Sequence, residues 1–299
     1  MRIGINARSL KKATHGNWQL YSRLGAFSSA SRRDRTSGSC SVSGDAKNGP
    51  SVPQSKKRWE ELAKLDPCWA ILSDPSKQFG GWDLDEFFHT GDQEVSRLIE
   101  SAKRIGYSGG RDTVLDFGCG MGRLTRALSK HFNRCVGVDI SEEMIRKARE
   151  LNGDIANCQF KLNASAALEQ FEDDQFDLIY TSIVLQHVPT KAAILRYVAE
   201  LVRTLKPKGL LVMQIPSAIP FRRLIQPRRR LYVFLRSFGI AESFLYRRFG
   251  LHPMQMNYVP QEKVLSFLKE IRARIVQIES DGMAGSGIAS RTYYVTKGM

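Results

Sequence analysis

The chain has 299 residues, 42% of them hydrophobic and 25% charged, which is ordinary for a water-soluble globular protein. No apolar run approaches the roughly 18 residues of a membrane-spanning helix, and the N-terminus lacks the apolar core of a secretory signal. Five cysteines, an odd number with no Cys-x-x-Cys spacing, argue against a disulfide framework or a zinc site. We therefore expect a cytoplasmic protein without a bound metal.

The formal net charge of +15 is concentrated at the N-terminus. Residues 1–58 contain twelve lysines and arginines but only two acids, a net charge of +10. The stretch from Ser28 to Ser55 is rich in serine and glycine, so we assign residues 1–57 to a basic Ser/Gly-rich tail. Three interpretations stay open: a disordered solvated tail, an organelle-targeting peptide, or a translated extension upstream of the true start. Nucleic-acid binding by the folded part is disfavoured but not excluded.

Residues 58–106 are predicted to form an N-terminal helical cover. Trp59, Leu62 and Ala63 mark a short helix, and a Pro/Gly-punctuated loop with several aromatic residues follows it. Thr90, with Gln93 three residues on, has the pattern of a capping box. We therefore predict that a second helix begins at Thr90 and stops near Gly106.

From residue 107 to 299 strands and helices alternate. Apolar runs predict strands at 114–117, 134–140, 160–162, 176–182, 210–215, 274–279 and 291–296. Amphipathic patterns predict helices at 123–132, 141–151, 190–205 and 260–272. This alternation indicates a parallel sheet covered on both faces. A basic helical insertion at about 217–258 interrupts it.

A glycine-rich turn follows the first of these strands. The sequence Val114-Leu-Asp-Phe-Gly-Cys-Gly-Met-Gly122 lets the backbone approach a ligand closely, because glycine lacks a side chain and tolerates positive φ. Such a turn lies at the carboxyl end of a parallel strand, where open α/β sheets bind ligands. Asp139 ends the next strand, at the place where dinucleotide folds have an acid for the ribose hydroxyls.

The spacing and charge of this turn distinguish between nucleoside ligands. A nicotinamide cofactor favours G-x-G-x-x-G and a helix start aimed at pyrophosphate, whereas this turn reads G-x-G-x-G with Asp116 beside it. A carboxylate there would repel pyrophosphate and suit an ammonium group. S-adenosylmethionine carries that group and no phosphate, so it is favoured, with a nicotinamide oxidoreductase as a rival.

The motifs resemble those of class I S-adenosylmethionine-dependent methyltransferases of the type 11/12-like group. Asp116–Gly122 resembles their first motif, Val136–Met144 their second, Phe160–Ser165 the adenine-contacting segment and Phe176–Pro189 the fourth strand with its exit. The resemblance implies a Rossmann-like seven-stranded, mostly parallel sheet with helices on both faces and an antiparallel last strand. It also implies S-adenosyl-L-methionine as cofactor, bound by Asp116, Gly118, Gly120, Gly122, Asp139, Ile140, Asn163, Ala164 and Ser182.

His187 is the candidate catalytic residue. It comes directly after the fourth strand, and an imidazole with an ordinary pKa near 6.5 suits removal of a proton from an acceptor. The alternative is a local structural role; His89 and Tyr197 are weaker candidates. Trp82, Phe87 and Phe88 are either aromatic residues that close the cofactor pocket or ordinary core residues.

The insertion is the part of the sequence that indicates an acceptor. Residues 221–250 contain eight arginines, one glutamate and many apolar residues. Arginines bind carboxylates and phosphates, and basic amphipathic helices suit anionic membranes. We therefore expect a small acidic or lipid-linked acceptor and contact with an anionic membrane surface. The alternatives are RNA- or protein-directed methylation and non-enzymatic nucleic-acid binding through the tail. The sequence predicts no oligomeric state.

Overall fold

A seven-stranded sheet forms the centre of the computed structural model, which describes residues 52–298. The strands are β1 (Thr113–Phe117), β2 (Arg134–Asp139), β3 (Cys158–Leu162), β4 (Phe176–Thr181), β5 (Leu205–Ala218), β6 (Ala273–Asp281) and β7 (Ala289–Lys297). Their order across the sheet is β3-β2-β1-β4-β5-β7-β6, and β7 runs antiparallel to both of its neighbours. The predicted Rossmann-like sheet with an antiparallel last strand is confirmed. The predicted tail, residues 1–51 of it, lies outside the described residues.

Helices cover both faces of this sheet, as predicted. They are α1 (Val52–Leu65), α2 (Pro67–Ile71), α3 (Leu84–Arg104), α4 (Arg123–Leu128), α5 (Glu142–Leu151), α6 (Lys191–Thr204), α7 (Phe221–Leu224), α8 (Pro227–Ser237), α9 (Glu242–Phe249) and α10 (Gln261–Glu270). Apolar side chains of α6 and α10 pack on one face, and those of α3 and α4 pack on the other. In the part of the chain that the structure describes, no helix is long and apolar enough to cross a membrane.

The central strands are buried on both faces, which explains their continuous apolar sequences. Val114 and Leu115 are adjacent in β1 but belong to different core clusters, because successive side chains of a strand point to opposite faces. Leu178 and Ile179 divide in the same way in β4. The hydrophobic effect thus fixes these strands in the middle of the sheet.

The N-terminal cover differs from its prediction at both helix starts. Helix α1 already begins at Val52, so part of the predicted tail is helical. Helix α3 begins at Leu84, because the Asp83 carboxylate accepts a hydrogen bond from the Glu86 amide at 3.0 Å. The capping box predicted at Thr90 is therefore wrong: Thr90 lies within α3, and its hydroxyl donates to the Phe87 carbonyl.

Two further boundaries in the core differ from the prediction. Helix α4 ends at Leu128 rather than Phe132, where the Asn157 amide donates to the carbonyls of Ser129 and Phe132, both at 3.0 Å. Strand β5 is longer than predicted, because it pairs with β7 as far as Ala218. The insertion between β5 and α10 consists of three short helices, α7, α8 and α9, followed by an irregular segment at 251–260.

Candidate active site

An open cavity lies at the carboxyl ends of β1, β2 and β4. Together with its open mouth it encloses about 1090 Å³ of atom-free space. Its wall includes seven of the predicted site residues: Gly118, Gly120, Asp139, Ile140, Asn163, Ser182 and His187. The fold therefore brings together, in one chamber, residues that are up to 69 positions apart in the sequence.

The glycine loop lines one side of this cavity, and its three glycines have backbone angles in the left-handed region of φ and ψ. Gly118, Gly120 and Gly122 have φ values of +83°, +53° and +85°. The amides of Gly118 and Cys119 donate to the Val138 carbonyl at 2.8 and 2.9 Å, which ties the loop to β2. A methyl group on Gly120 would lie 2.5 Å from the Ile71 side chain, and one on Gly118 would overlap Val184. Both backbone strain and space therefore require glycine at these positions.

Gly122 has a different role from the other two glycines. It does not line the cavity but precedes α4, and a methyl group there would lie 2.8 Å from both the Asn152 amide nitrogen and the Phe160 ring. The predicted direct contact between Gly122 and a cofactor is therefore not supported by its place. Its positive φ and its packing against the residues of α5 and β3 explain the glycine.

Asp139 presents its carboxylate at the end of β2. Oδ2 accepts a hydrogen bond from the Gly120 amide at 3.0 Å, and Oδ1 accepts one from the Ser141 amide at 2.9 Å. Burial raises the pKa of this carboxyl above its ordinary value, while the backbone amides oppose that shift. Each oxygen keeps a lone pair after its backbone bond, so the carboxylate can accept two further hydroxyls.

Three further predicted residues lie at the ends of β3 and β4. The backbone amide of Asn163 donates to the backbone carbonyl of Asp139 at 2.8 Å, and the Asn163 side chain lies on the same wall as Asp139. Ser182 lies on the wall directly after β4. Ala164, in contrast, is exposed and absent from the wall, where Ala166 stands instead. The place of Ala164 therefore gives no support to the cofactor contact predicted for it.

Asp116 is buried away from the cavity, contrary to the prediction. It neighbours Phe117 on β1, and because Phe117 faces the cavity, Asp116 faces the opposite side of the sheet. There its Oδ2 accepts a hydrogen bond from the Thr125 hydroxyl at 2.6 Å. Burial raises the pKa of this carboxyl to about 7. Asp116 thus links β1 to α4 and is not among the lining residues, so its place gives no support to the ammonium contact predicted for it.

His187 lies on the cavity wall with its protonation defined by its neighbours. Nδ1 is 2.7 Å from the Gln255 carbonyl oxygen, and because a carbonyl only accepts, Nδ1 carries the proton. Nε2 therefore holds the lone pair, and the Gln186 amide lies 3.1 Å from it. Burial lowers the pKa of His187 to about 4. The imidazole is neutral near pH 7, which a proton acceptor requires.

The weaker base candidates are less well placed than His187. His89 is on α3, outside the cavity wall, with its Nε2 3.0 Å from the Gln93 amide. Tyr197 does line the cavity, but its hydroxyl donates to the Ser165 carbonyl at 2.9 Å, and burial raises its pKa. A phenol with a raised pKa stays protonated at neutral pH, so it cannot accept a proton there.

Comparison with known proteins agrees with this site. The Methyltransferase domain family model matches residues 115–213. The chain is 29% identical over 175 residues to 2-methyl-6-phytyl-1,4-hydroquinone methyltransferase of Synechocystis sp. (54% of this chain, 50% of that protein). It is 32% identical over 152 residues to trans-aconitate 2-methyltransferase of Azoarcus sp. (50% and 54%). It is 38% identical over 117 residues to ubiquinone biosynthesis O-methyltransferase of Xylella fastidiosa (38% and 45%).

The fold is also similar to that of solved structures. Magnesium protoporphyrin IX methyltransferase from Synechocystis, solved with bound SAH, superposes with a TM-score of 0.52 at 16% identity, covering 81% of this chain and 97% of that one. The match over residues 115–213 and the methyltransferases named above support a class I S-adenosylmethionine-dependent methyltransferase domain in this part of the chain. It spans about half the length of the curated relatives it matches, and the structural likeness concerns the fold.

The cavity wall fits the cofactor of this methyltransferase family. Asp139 is the only carboxylate among the described lining residues, which include no lysine or arginine, and His187 is neutral. A sulfonium cation with an ammonium group suits such a wall, whereas the pyrophosphate of a nicotinamide dinucleotide would lack a counter-charge. Gly118 and Gly120 leave room for a close approach, and Asp139 can accept the ribose hydroxyls.

The cover of this methyltransferase site comes from residues that the sequence analysis did not select. Ser55 and Trp59 of α1 and Ala70 and Ile71 of α2 line the cavity. The Trp59 ring meets the His187 ring edge-on, with centroids 5.3 Å apart. Trp82, Phe87 and Phe88 are absent from the wall and pack together in the core of the cover. The core-packing alternative was therefore the right one for those three aromatic residues.

A second feature missed by the sequence analysis is a strained residue at the exit of β4. Ile183 lines the cavity with φ of +61°, a conformation that is costly for a β-branched residue. Its amide donates to the buried Gln214 side chain at 3.0 Å, and Gln214 also donates to the Ser290 hydroxyl at 2.6 Å. The apolar sequence of β5 contains Gln214 as its one polar interruption between Leu210 and Ile215, and that was the available signal.

Proposed function

We propose that this protein transfers the methyl group of S-adenosylmethionine to a small-molecule acceptor. The observation that supports this most directly is the shared cavity: the glycine loop and Asp139 form one wall, and His187 stands on another. A nucleoside site and a proton acceptor thus open into the same space. The family membership of residues 115–213 supports the same activity.

The residues on the wall divide the work between positioning and proton removal. When bound, S-adenosylmethionine supplies a methyl group on a positively charged sulfur, which is already activated for displacement. The glycine loop and Asp139 would hold the nucleoside, while Trp59 and Ile71 would exclude water from the reacting atoms. Nε2 of His187 would exchange the hydrogen bond from the Gln186 amide for one from a hydroxyl acceptor and then take the proton that the acceptor loses.

For the acceptor, we favour a lipid-linked hydroxyaromatic molecule of the hydroquinone type. Two of the relatives described above are named for hydroquinone or ubiquinone biosynthesis. The cavity wall near His187 is apolar and includes Val184, Val188 and Pro189, which suits an aromatic ring with an apolar tail. A phenolic hydroxyl also has a proton to lose, and the lone pair of His187 gives that proton a destination.

An acidic acceptor is the second candidate, and Arg58 favours it. A small cavity beside the main one is lined by Arg58, Ser55, Gln255 and His187. The Arg58 guanidinium is half-buried, and its NH1 donates to the Gln255 side chain at 2.9 Å. Burial lowers the pKa of this guanidinium, and the nearby Glu61 carboxylate opposes that shift; a bound acid would be a second anion beside it. A relative named for trans-aconitate methylation is consistent with such a substrate.

RNA- or protein-directed methylation gains no support from the relatives described above, which are named for small molecules. Nucleic-acid binding through the N-terminal tail concerns residues outside the described part of the chain. We therefore keep the small-molecule acceptor as the proposal.

Two experiments test the proposed function. Calorimetry should detect binding of both S-adenosylmethionine and its demethylated product to the purified protein, and failure to bind either would refute the proposal. Transfer of a labelled methyl group should then be measured with prenylated hydroquinones and with small tricarboxylates. The variant Arg58→Gln should lower the rate with the acids and leave the rate with hydroquinones unchanged; the opposite pattern would exclude the role of Arg58.

A further inference from the structure

The insertion between β5 and α10 exposes a surface that is both apolar and strongly positive. We call residues 221–250 the basic segment; its eight arginines and single glutamate give it a net charge of +7. Nine large apolar side chains of this segment are exposed: Phe221, Leu224, Ile225, Leu231, Val233, Phe234, Phe238, Phe244 and Phe249. They are nine of the twelve exposed large apolar side chains in the described part of the chain.

Helix α8 shows how the basic segment holds this surface outward. Its inner face is anchored, because Tyr232 is buried and its hydroxyl donates to the Glu61 carboxylate of α1 at 2.8 Å. The outer face carries Leu231, Phe234 and Phe238, at the spacing of one helix stripe, with exposed fractions of 48%, 58% and 69%. The stripe therefore has no partner within the described residues of the chain.

The neighbouring helices of the basic segment repeat this combination. Phe221, at the start of α7, is 77% exposed and is followed by the exposed Arg222 and Arg223. In α9, Phe244 is 54% exposed and stands beside the exposed Arg247 and Arg248. Positive charge and exposed aromatic rings thus occur together on each of the three helices.

The chemistry of this surface identifies one kind of partner. Exposed apolar side chains at this density mark an interaction site, because a monomer in water rarely presents them. Eight arginines with one acid require that the partner be negative, and a second copy of the same segment would be repelled. Nucleic acid offers negative charge but no apolar volume for an aliphatic and aromatic stripe. A bilayer with anionic headgroups offers both.

We propose that the basic segment docks this protein on an anionic phospholipid surface. Leu231, Phe234 and Phe238 insert at the boundary between headgroups and acyl chains, and the exposed arginines of the segment contact lipid phosphates. The chain continues from the basic segment into Gln255, whose carbonyl fixes the His187 tautomer. Docking does not depend on the proposed catalytic activity; only delivery of a lipid-linked acceptor to His187 rests on it.

Vesicle sedimentation with the full-length chain tests the docking. We expect binding to phosphatidylcholine vesicles that contain phosphatidylglycerol, weaker binding at high salt, and little binding to pure phosphatidylcholine. The triple variant Leu231→Ser, Phe234→Ser, Phe238→Ser should bind the anionic vesicles about tenfold more weakly. A control variant with Arg274→Glu and Val276→Ser, both exposed on β6, should bind as well as the unmodified chain.

Insertion is measured separately, because the basic N-terminal residues could also attract anionic vesicles. In a Phe234→Trp variant, brominated lipids should quench the added tryptophan signal, whereas in a Val276→Trp variant they should not. Absence of quenching at Phe234, or equal vesicle binding by the triple variant, would overturn the proposal. It would also be overturned if the triple variant lost only oligonucleotide binding, or only self-association in ultracentrifugation.

The two proposals fail in different ways. Vesicle binding by a protein that binds neither S-adenosylmethionine nor its product would remove the catalytic function and leave docking in place. Normal cofactor binding without vesicle binding would do the reverse. Cofactor affinity of the triple variant, measured by calorimetry, also shows whether the substitutions left the fold intact.

Discussion

Replacing Asp139 with alanine removes the carboxylate that is predicted to accept both ribose hydroxyls of the cofactor. In the structure each carboxylate oxygen already accepts one backbone amide, from Gly120 at 3.0 Å and from Ser141 at 2.9 Å. The carboxylate is therefore held in place before a ligand arrives. Little side-chain entropy would be lost when the hydroxyls bind, so most of the hydrogen-bond energy would contribute to affinity.

The size of the effect follows from the number of bonds. A hydrogen bond to a charged group contributes about 1.5–3 kcal/mol, so two such bonds contribute at least about 3 kcal/mol. That corresponds to at least about a hundredfold rise in the dissociation constant of S-adenosylmethionine. The variant Asp139→Asn should lose less affinity than Asp139→Ala, because the amide oxygen of Asn still accepts a hydrogen bond. It should not bind normally, because its NH2 group would face a backbone N–H, and neither group accepts.

Calorimetric titration with S-adenosylmethionine and with its demethylated product measures these losses. The variant Asp154→Ala, at an exposed position away from the cavity, is the control and should bind normally. The titrations should be made well below the thermal midpoint of each variant, since Asp139→Ala leaves two backbone amides without acceptors. If a folded Asp139→Ala variant bound the cofactor within about threefold of the unmodified chain, the ribose assignment would be wrong.

Four other predictions follow from the site. The variant His187→Gln should lower kcat about a hundredfold or more with unchanged cofactor affinity. Because the pKa of His187 is about 4, protonation of this group should lower kcat/KM of the unmodified chain only below about pH 5; a kcat/KM profile with its midpoint near pH 6.5 would contradict the burial of His187. His187 and His252 both have pKa values near 4, below the unfolded value of about 6.5, so the unfolded chain binds more protons between these pH values. The free energy of unfolding, measured in urea, should therefore decrease as the pH is lowered from 6.5 to 4, by up to about 3 kcal/mol for each histidine. A variant with both histidines changed to Asn should lose this dependence of stability on pH. The variant Gly120→Ala should abolish detectable cofactor binding in calorimetry, because it combines a strained φ with a steric overlap; retained binding would show that the loop can move. Removing the acceptor of the Ile183 amide with Gln214→Leu should lower the thermal stability by about 1–3 kcal/mol, and an unchanged melting temperature would show that Gln214 does not hold this turn.

The parts of the site that the sequence predicted are those that depend on local structure. Gly118, Gly120 and Asp139 each lie at the carboxyl end of a strand whose apolar sequence is plain, and parallel strands bring those ends to one edge. The spacing between the glycine loop and Asp139 is fixed by one helix and one strand. No distant contact was needed to place these residues on one wall.

The predictions for Asp116 and Thr90 differ from the structure because residues outside the local sequence pattern determine which interaction forms. Asp116 lies in β1 two residues before the first glycine of the loop, yet its hydrogen-bond partner is Thr125 of α4, on the other side of the sheet. Thr90 has a good capping sequence, but Asp83 caps the same helix two turns earlier. A local pattern shows that a residue can form an interaction, and the competing partner is visible only in three dimensions.

Residues of the cover and of the insertion were missed because their sequences carry no periodic signal for the cavity. Trp59 and Ile71 line it only because α1 and α2 fold back over the sheet. Gln255 lies in an irregular segment 68 residues from His187, and its contribution is a backbone carbonyl, which any residue type provides. Side-chain identity therefore gave no indication of this contact.

The two halves of the cavity consequently differ in how freely the sequence can vary. The proposed cofactor half is built from strand ends and glycines, where strain and steric overlap leave few alternatives. The proposed acceptor half includes Trp59 of α1 and His187, and the small cavity beside it is lined by Arg58 and Gln255, which follows the basic segment in the chain. Arg58 and Gln255 meet there from different elements, so substitutions in the insertion can reshape the acceptor pocket while β1, β2 and the glycine loop remain unchanged. We infer that the choice of acceptor is determined by the cover and insertion of this chain, which is where differences from its relatives should be sought first.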